Sequence, residues 1–312
     1  MAEALEQLID GAAWAPARPE LSVLIPFHGD DPRALLAALD RQAAALDGAV
    51  ELVVLDDGDP KPAMGEAVAA CVRALAAPAR LIRLSANEGR ARGRNRLARH
   101  ARGGHLLFID SDMAPDAMDF LARWLELARE GAAVAFGGFT VDAAPPDRAT
   151  ALHRAMSRRS DCLTAAQRRR TPEKYVFTSN LLVRRDVFEA ERFDEGFRGW
   201  GWEDVEWGMR VARRWPVLHV DNTAAHLGLD PAETLTAKYE QAVANFARVL
   251  AAHPDFVRRY PSFRAARALR AAPLRRLWRP LLKRLAIASA APMPLRVAAA
   301  KTYRAALYAE VV

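Results

Sequence analysis

The sequence predicts an α/β fold in which a mostly parallel central sheet is flanked by helices. Before residue 115, four short apolar runs alternate with segments of helical spacing. Strands that alternate with helices build parallel sheets through right-handed crossover connections. With 312 residues and 51% hydrophobic content, the chain can bury one large domain and an appendage.

The elements follow in order from the N-terminus. Residues 1–20 are predicted to be a lead-in with a short helix. A strand at 21–28 is followed by a helix whose first position is Pro32, where the missing N–H is tolerated. Strands at 50–55 and 79–84 each precede a segment of helical spacing, and a fourth strand spans 103–109.

Two predicted strands end in carboxylates. Asp110 and Asp112 follow the fourth strand, and Asp56 and Asp57 close the second. Ligands of open α/β sheets bind outside the carboxyl ends of strands, where a cation can hold two neighbouring carboxylates. Turns and helix caps are the alternative explanation of both pairs. Four arginines of the third helix place guanidinium groups, which suit a diphosphate, near this edge: Arg90, Arg92, Arg94 and Arg96.

The order and spacing of these segments resemble the nucleotide-sugar-binding half of family 2 glycosyltransferases over about the first 115 residues. The resemblance implies the Rossmann-like GT-A fold and a nucleoside diphosphate sugar donor, for which we expect UDP. The donor-binding residues that it implies are Pro26, Phe27, Asp57, Arg94, Asp110 and Ser111.

The resemblance also implies a site for Mn²⁺ or Mg²⁺, with Asp110 and Asp112 as ligands. An ion that bridges Asp112 and the two phosphates would neutralise the leaving diphosphate. A histidine after the last strand often completes the metal site of such transferases, so we expect His226 to be the third ligand and His219 the alternative. A lone histidine is otherwise more often structural.

A second informative stretch spans residues 193–210, which contain three tryptophans, several glycines and several acids. Trp200 and Trp202 offer flat faces on which sugars stack. Glu203 and Asp204 are predicted to begin a helix, whose dipole favours carboxylates. Core tryptophans beside ordinary N-terminal helix acids would give the same pattern.

Residues 199–204 resemble the Gly-Trp-Gly-x-Glu-Asp signature of bacterial chondroitin-type polymerases and β-galactosyltransferases. This resemblance implies that Asp204 is the general base, that Glu203 binds the acceptor and that Trp200 packs on the acceptor sugar. We also predict Trp202, which stands where glycine is frequent, and Asn180 to be acceptor-binding residues. Related retaining transferases carry Asn in place of the Asp, so Asp204 favours inversion.

The remaining segments are less distinctive. We predict strands at 133–141 and 216–222, a strand that passes into a helix at 178–188, and an Arg-rich segment at 148–171 that is either a mobile surface segment or an amphipathic helix. The GT-A domain is expected to span 21–230. A helical extension is expected to span 231–312.

The extension is basic from about residue 262 onward. From there to the end, the chain contains eleven Lys and Arg and a single acid, Glu310. Short pieces that mix Arg, Leu and Trp, such as 274–279, favour contact with an anionic membrane surface. A solvated helical appendage is the alternative, and nucleic acid is not expected because no recognition module accompanies the basic tail.

The sequence indicates a cytoplasmic protein that is peripheral at the inner membrane face. Its two cysteines give no disulfide framework, its N-terminus lacks a signal peptide, and no apolar run is long enough to span a membrane. We predict a metal-dependent inverting hexosyltransferase that acts on a glycan or lipid-linked acceptor.

Two alternatives to this function were considered. A nucleotidyltransferase of related fold would need a Gly-rich phosphate loop with Lys after the first strand, and residues 26–30 do not provide one. A non-catalytic sugar-binding protein that retains the fold would not need both Asp112 and Asp204.

Overall fold

The computed structural model describes residues 4–312, which contain eleven strands and thirteen α-helices. The strands are β1 (Glu6–Asp10), β2 (Leu21–Phe27), β3 (Val50–Asp56), β4 (Ala79–Leu84), β5 (His105–Ile109), β6 (Met113–Pro115), β7 (Val134–Phe136), β8 (Phe139–Thr140), β9 (Asn180–Arg184), β10 (Val217–His219) and β11 (Ala224–His226). The helices are α1 (Arg33–Ala43), α2 (Pro62–Ala74), α3 (Arg90–His100), α4 (Phe120–Arg129), α5 (Ala151–Ser160), α6 (Ala165–Arg168), α7 (Arg185–Ala190), α8 (Glu203–Val211), α9 (Ala232–Ala252), α10 (Pro254–Val257), α11 (Pro261–Arg270), α12 (Arg275–Ile287) and α13 (Met293–Tyr308).

Eight strands form a central sheet in the order β1-β4-β3-β2-β5-β9-β7-β10. The pairings β4-β3, β3-β2, β2-β5 and β7-β10 are parallel, whereas β1 and β9 run antiparallel to their neighbours. Helices α1, α2 and α4 pack on one face, and α3, α7 and α8 pack on the other. The predicted α/β fold with a mostly parallel sheet between helices is therefore confirmed.

Two local predictions were wrong. Within residues 4–20 the lead-in contains the strand β1 and not a helix, because the edge of β4 offers unpaired backbone groups that β1 satisfies. The strand predicted at 133–141 is divided into β7 and β8. Gly138, which lies between them, has a φ of +83° that a regular strand does not contain. The Arg-rich segment at 148–171 contains helices α5 and α6, which agrees with the helical alternative.

A small second sheet, in the order β6-β11-β8, lies beside the carboxyl end of β5. In this sheet β11 runs antiparallel to β6, so that His226 is opposite Met113. Met113 directly follows the triplet of residues 110–112. Two parts of the chain that are far apart in sequence are therefore brought to the same edge.

The C-terminal helices share a core with the rest of the protein. Tyr239 and Phe246 of α9 pack with Tyr303 and Leu307 of α13 and with Met209 of α8. The sequence predicts a basic extension at the protein surface, but most of the apolar side chains of α13 are buried. Helix α12 is different, because Ala286 is its only buried residue. None of the helices in residues 4–312 has the length and apolar content needed to cross a membrane.

Candidate active site

Asp112 and His226 form a pair at the junction of the two sheets. His226 Nε2 lies 3.0 Å from Asp112 Oδ2, and the Leu227 N–H donates to the Asp112 carbonyl at 2.9 Å. The other carboxylate oxygen of Asp112 is buried and has no hydrogen-bond partner. Burial opposes charging of the imidazole, but Asp112 and the nearby Asp110 outweigh this and raise the pKa of His226.

Gly228 lies in direct contact with the Asp112 side chain of this pair. A Cβ atom built at this position would overlap the carboxylate of Asp112. The absence of a side chain therefore allows the Asp112 carboxylate to occupy its position beside His226.

Asp110, near the Asp112–His226 pair, is bound by Arg94. Its Oδ1 accepts a hydrogen bond of 2.7 Å from Nη2 of the buried Arg94. Burial raises the pKa of Asp110, but Arg94 and Arg90 outweigh this and lower it below its usual value. Within residues 4–312 no group of three or more His, Cys, Asp or Glu side chains is arranged to hold a metal. The expected three-ligand set is therefore not assembled, because Arg94 already holds Asp110.

The acidic pair Glu203 and Asp204, at the start of α8, belongs to the same site as Asp110 and Asp112. Arg90 Nε lies 3.0 Å from Glu203 Oε1, and its Nη2 lies 3.9 Å from Asp110 Oδ2. Arg94 contacts the same two acids, at 3.9 Å from Glu203 and 2.7 Å from Asp110. Two arginines of α3 thus connect the acids that follow β5 with the acids that begin α8.

Asp204 is half-buried next to Glu203 in the first turn of α8. Its Oδ1 accepts a hydrogen bond of 2.8 Å from the Val205 N–H. Burial and the negative charge of Glu203 raise the pKa of Asp204 to about 7, although Arg94 and Arg90 act in the opposite direction. A carboxyl group with this pKa can accept and return a proton near neutral pH.

The other two arginines of α3 have structural partners. Arg92 forms an ion pair with Glu195 at 3.2 Å, and Arg96 pairs with Glu88 and Glu6. Of the four arginines expected near a diphosphate, only Arg90 and Arg94 border the acidic site. Arg90 is the more accessible of these, with 41% of its side chain exposed against 2% for Arg94.

Asp57 orders the turn that leads into α3. Its Oδ1 accepts from the Glu88 N–H at 2.8 Å, and its Oδ2 accepts from the Gly89 N–H and the Asn87 amide. Burial raises the pKa of Asp57 despite these bonds. The same carboxylate therefore fixes the start of the helix that carries Arg90.

Two further predicted donor residues lie beside these elements: Pro26 is half-buried in β2, and Ser111 is buried between the two aspartates of the triplet.

Three predicted site residues have buried side chains that contact other parts of the protein. The ring of Phe27 is 2% exposed and packs in the core. Asn180 is fully buried, where its amide bonds the Trp124 ring N–H and the carbonyls of Gly138 and Asn222. His219 is also buried, with its two ring nitrogens occupied by Arg168 and the Pro172 carbonyl. The polar groups of Asn180 and His219 are satisfied by the fold. The ligand-binding roles of these three residues stay predictions.

Trp202 is held by the C-terminal helices. Its φ is +78°, a conformation that favours glycine, which is the residue frequent at this position of the motif. Its ring lies 5.1 Å from the ring of Phe246, and its Nε1–H donates to the Tyr308 hydroxyl at 3.0 Å. The ring of Trp202 therefore packs against α9 and α13, and its acceptor-binding role stays a prediction. Trp200 is half-buried, with the Lys238 ammonium 5.9 Å from its ring centre, and its acceptor-binding role stays a prediction.

Sequence reasoning missed the residues that surround His226. The His153 ring of α5 lies 5.8 Å from the His226 ring, and His153 Nδ1 accepts a 2.8 Å hydrogen bond from the Asp230 N–H. Burial and the proximity of His226 lower the pKa of His153 to about 4, so His153 is neutral at pH 7. The Asp230 carboxylate binds Lys238 at 2.7 Å. The one sequence signal for this contact with His226 is that His153 is an isolated histidine in an Arg-rich segment.

Comparison with known families and structures gives consistent results. The model of the family Glycosyl transferase family 2 matches residues 22–191. No curated protein sequence matches the chain.

Solved structures resemble the chain over most of its length. One is the mannosyltransferase PcManGT from Pyrobaculum calidifontis in complex with GDP-Man and Mn²⁺, with 18% identity, coverage of 96% of this chain and 88% of that one, and a TM-score of 0.56. Residues 1–349 of S. aureus TarS have 14% identity, coverage of 94% and 90%, and a TM-score of 0.53. TarS 1–349 in complex with UDP-GlcNAc has 15% identity, the same coverages and the same TM-score. At these identities the likeness concerns the fold, which is the predicted GT-A fold.

Proposed function

Since the chain belongs to glycosyl transferase family 2, we propose that it transfers a hexose from a UDP-sugar to a glycan or lipid-linked acceptor with inversion at the anomeric carbon. Family and fold support a nucleotide-sugar glycosyltransferase. The observation that carries the finer proposal is that Arg90 and Arg94 join Asp110 and Glu203 in one site. A donor and an acceptor bound there would meet between the two acidic pairs.

Asp112 and His226 fit a divalent ion. A carboxylate oxygen and an imidazole nitrogen suit Mn²⁺, and the free buried Oδ1 of Asp112 provides a further oxygen. Two protein ligands leave coordination positions for phosphate oxygens, which is how Mg²⁺ is commonly held in phosphate-handling sites. When bound, the ion would supply positive charge to the leaving diphosphate. Ionised Asp110 would keep Arg94 in place beside it.

Asp204 would remove the proton of the acceptor. As the acceptor oxygen attacks the anomeric carbon, its proton passes to Asp204 and the bond between that carbon and the diphosphate oxygen breaks. One displacement of this kind inverts the configuration. Glu203 Oε2 is buried without a hydrogen-bond partner, so it has the capacity to accept a bond from a second acceptor hydroxyl.

We infer a preference for uracil over guanine from the hydrogen bonds of Asp57. Asp57 Oδ1 accepts a single bond and Oδ2 accepts two, so one acceptor position remains on Oδ1. Uracil presents one imide N–H to such an acceptor, whereas guanine presents two adjacent donors and would leave one of them unpaired. The single free acceptor position of Asp57 therefore supports UDP as the donor nucleotide, and GDP-sugars serve as the comparison.

The test is an assay of nucleotide release with a panel of UDP- and GDP-sugars in the presence of Mn²⁺, Mg²⁺ or a chelator. We expect a UDP-sugar to release UDP only with a divalent ion, and NMR of the product to show the inverted anomer. Release of pyrophosphate from a nucleoside triphosphate and a sugar 1-phosphate, supplied in a parallel assay, would identify a nucleotidyltransferase instead. Binding of UDP-sugar without turnover over a broad acceptor panel would identify a sugar-binding protein.

Gly228→Ala is predicted to weaken metal-dependent UDP binding by about tenfold to a hundredfold, a range typical for disturbed support of metal ligands. The added methyl group would displace the Asp112 carboxylate. Calorimetry with UDP and Mn²⁺ measures the effect. Gly104→Ala is the matched control, because the nearest atom to its added Cβ would be the Glu20 carbonyl oxygen at 3.9 Å. Unchanged affinity in a folded Gly228→Ala protein would contradict the prediction.

The activity is predicted to rise with pH and to reach its half-maximal value near pH 7. A general base acts in its ionised form, and burial beside Glu203 raises the pKa of Asp204 to about 7, so the active fraction grows between pH 6 and 8. The profile of kcat/KM measures this. Glu203→Gln removes the neighbouring negative charge and should move the midpoint to lower pH. A flat profile across this range would count against Asp204.

A further inference from the structure

Helix α12 exposes its large apolar side chains. Leu274, which precedes the helix, is 70% exposed, and Leu277, Leu281 and Leu285 are 69%, 60% and 37% exposed. Their spacing of three or four residues places them on one stripe. We refer to these four residues as the leucine stripe. Isolated exposed leucines are ordinary, but an aligned row of four is a contiguous apolar surface that usually marks a contact site.

The inner face of α12 packs Leu282 and Ile287 against the C-terminal core, and it also carries charged side chains that fix the orientation of the helix. Arg279 forms an ion pair with Glu310, and Lys283 forms one with Glu240 of α9 at 2.6 Å. Arg275 is also turned inward and donates to the carbonyls of Leu269 and Arg270. With these contacts made, α12 cannot rotate to bury the leucine stripe without breaking them.

The positive charge around the leucine stripe indicates the kind of surface that it contacts. Arg276 and Arg284 are exposed on the outer side of α12, and α11 adds three more exposed arginines: Arg264, Arg267 and Arg270. The single acid of residues 262–312, Glu310, is already paired with Arg279. A second copy of this chain would bring two cationic surfaces together, which repel each other. An anionic lipid surface offers both an apolar layer and negative charge.

We propose that α12 lies on the surface of an anionic membrane, with the leucine stripe at the boundary of the acyl chains and Arg276 and Arg284 at the lipid phosphates. The contact is local to α12. Helix α13, in contrast, is held in the protein core.

Helix α12 is linked to the acceptor motif through α13. Helix α12 packs on α13, and the Tyr308 hydroxyl of α13 bonds the ring of Trp202 in the acceptor motif. A lipid-linked acceptor would then be present in the same membrane to which the protein is docked. This consequence rests on the proposed function, whereas the membrane contact itself does not.

Co-sedimentation of the full chain with vesicles tests the proposal. We expect binding to vesicles of phosphatidylglycerol and phosphatidylcholine and little binding to phosphatidylcholine alone. Leu277→Gln with Leu281→Gln should weaken binding about tenfold or more, because two side chains leave the apolar layer. Met118→Gln is the matched control, since Met118 is 79% exposed elsewhere and should not affect binding. Donor binding, measured in parallel, reports folding independently of the membrane.

The contribution of charge to vesicle binding and the depth of α12 in the lipid layer can be measured separately. Arg276→Gln with Arg284→Gln should weaken binding about tenfold at low salt. Trp278 of α12 is half-buried, so brominated lipids should quench a fluorescence signal that Trp278→Phe removes. Equal binding by wild type and the leucine variant, or no binding by wild type, would overturn the proposal. Sedimentation velocity that shows a dimer lost in the leucine variant would overturn it in favour of a second copy.

Discussion

Asp204→Asn is expected to lower kcat by about 10² to 10⁴-fold and to leave the affinity for UDP-sugar and Mn²⁺ unchanged. The range is the usual contribution of a general base. Asn keeps the size of the side chain and the oxygen that accepts from the Val205 N–H, but it cannot take a proton. Calorimetry with the donor and a transfer assay with the identified acceptor separate binding from chemistry.

The stability of this variant distinguishes lost catalysis from lost folding. Burial and Glu203 raise the pKa of Asp204, so ionisation is disfavoured in the folded protein. The stability that Asp204 contributes is therefore lost as pH rises from its unfolded pKa towards about 7. Asp204→Asn removes this penalty, so its Tm at pH 8 should equal or exceed that of wild type, and the difference in Tm should shrink as the pH falls below 5.

Asp186→Asn is the matched control for Asp204→Asn. Asp186 also lies in the first turn of a helix, but it forms a surface ion pair with Arg184 at 2.6 Å, away from the acidic site. Its replacement should leave kcat unchanged. Retained turnover in Asp204→Asn, with a normal pH profile, would assign the base to another residue.

Local patterns were sufficient to predict much of the fold and the position of the two acidic pairs. The strands β2 to β5 are short apolar runs between helical segments, and α8 begins at Glu203 as the acids predicted. The triplet follows β5 because the apolar run ends there. Each of these features is determined by neighbours in the sequence.

The partners of the site residues could not be predicted from local patterns. Arg94 binds Asp110 and the Asn180 amide is used inside the core, and both facts depend on which elements pack together. Strand β1 forms because β4 has a free edge, which is a property of the whole sheet. The basic tail divides into a buried α13 and an exposed α12 for the same reason.

Asp112→Asn is expected to lower the affinity for UDP in the presence of Mn²⁺ by at least about a hundredfold, the upper range for damage to the surroundings of a metal ligand. Asn retains the shape of the side chain beside Gly228 and can still bond His226, so the fold should persist. It removes the negative charge and leaves a single oxygen, which is a weaker ligand for a divalent ion. UDP binding without metal should change little.

The comparison between Mn²⁺ and chelator within each protein isolates the role of the metal. Asp116→Asn is the control, because Asp116 follows β6 on the surface and bonds the Thr140 hydroxyl at 3.1 Å. It should bind UDP and Mn²⁺ like wild type. If Asp112→Asn kept its metal dependence while Asp110→Asn lost it, the ion would be held on the Arg94 side of the triplet. Such a result would mean that His226 does not bind the metal. The negative charge of the leaving diphosphate would then be neutralised by an ion bound at Asp110.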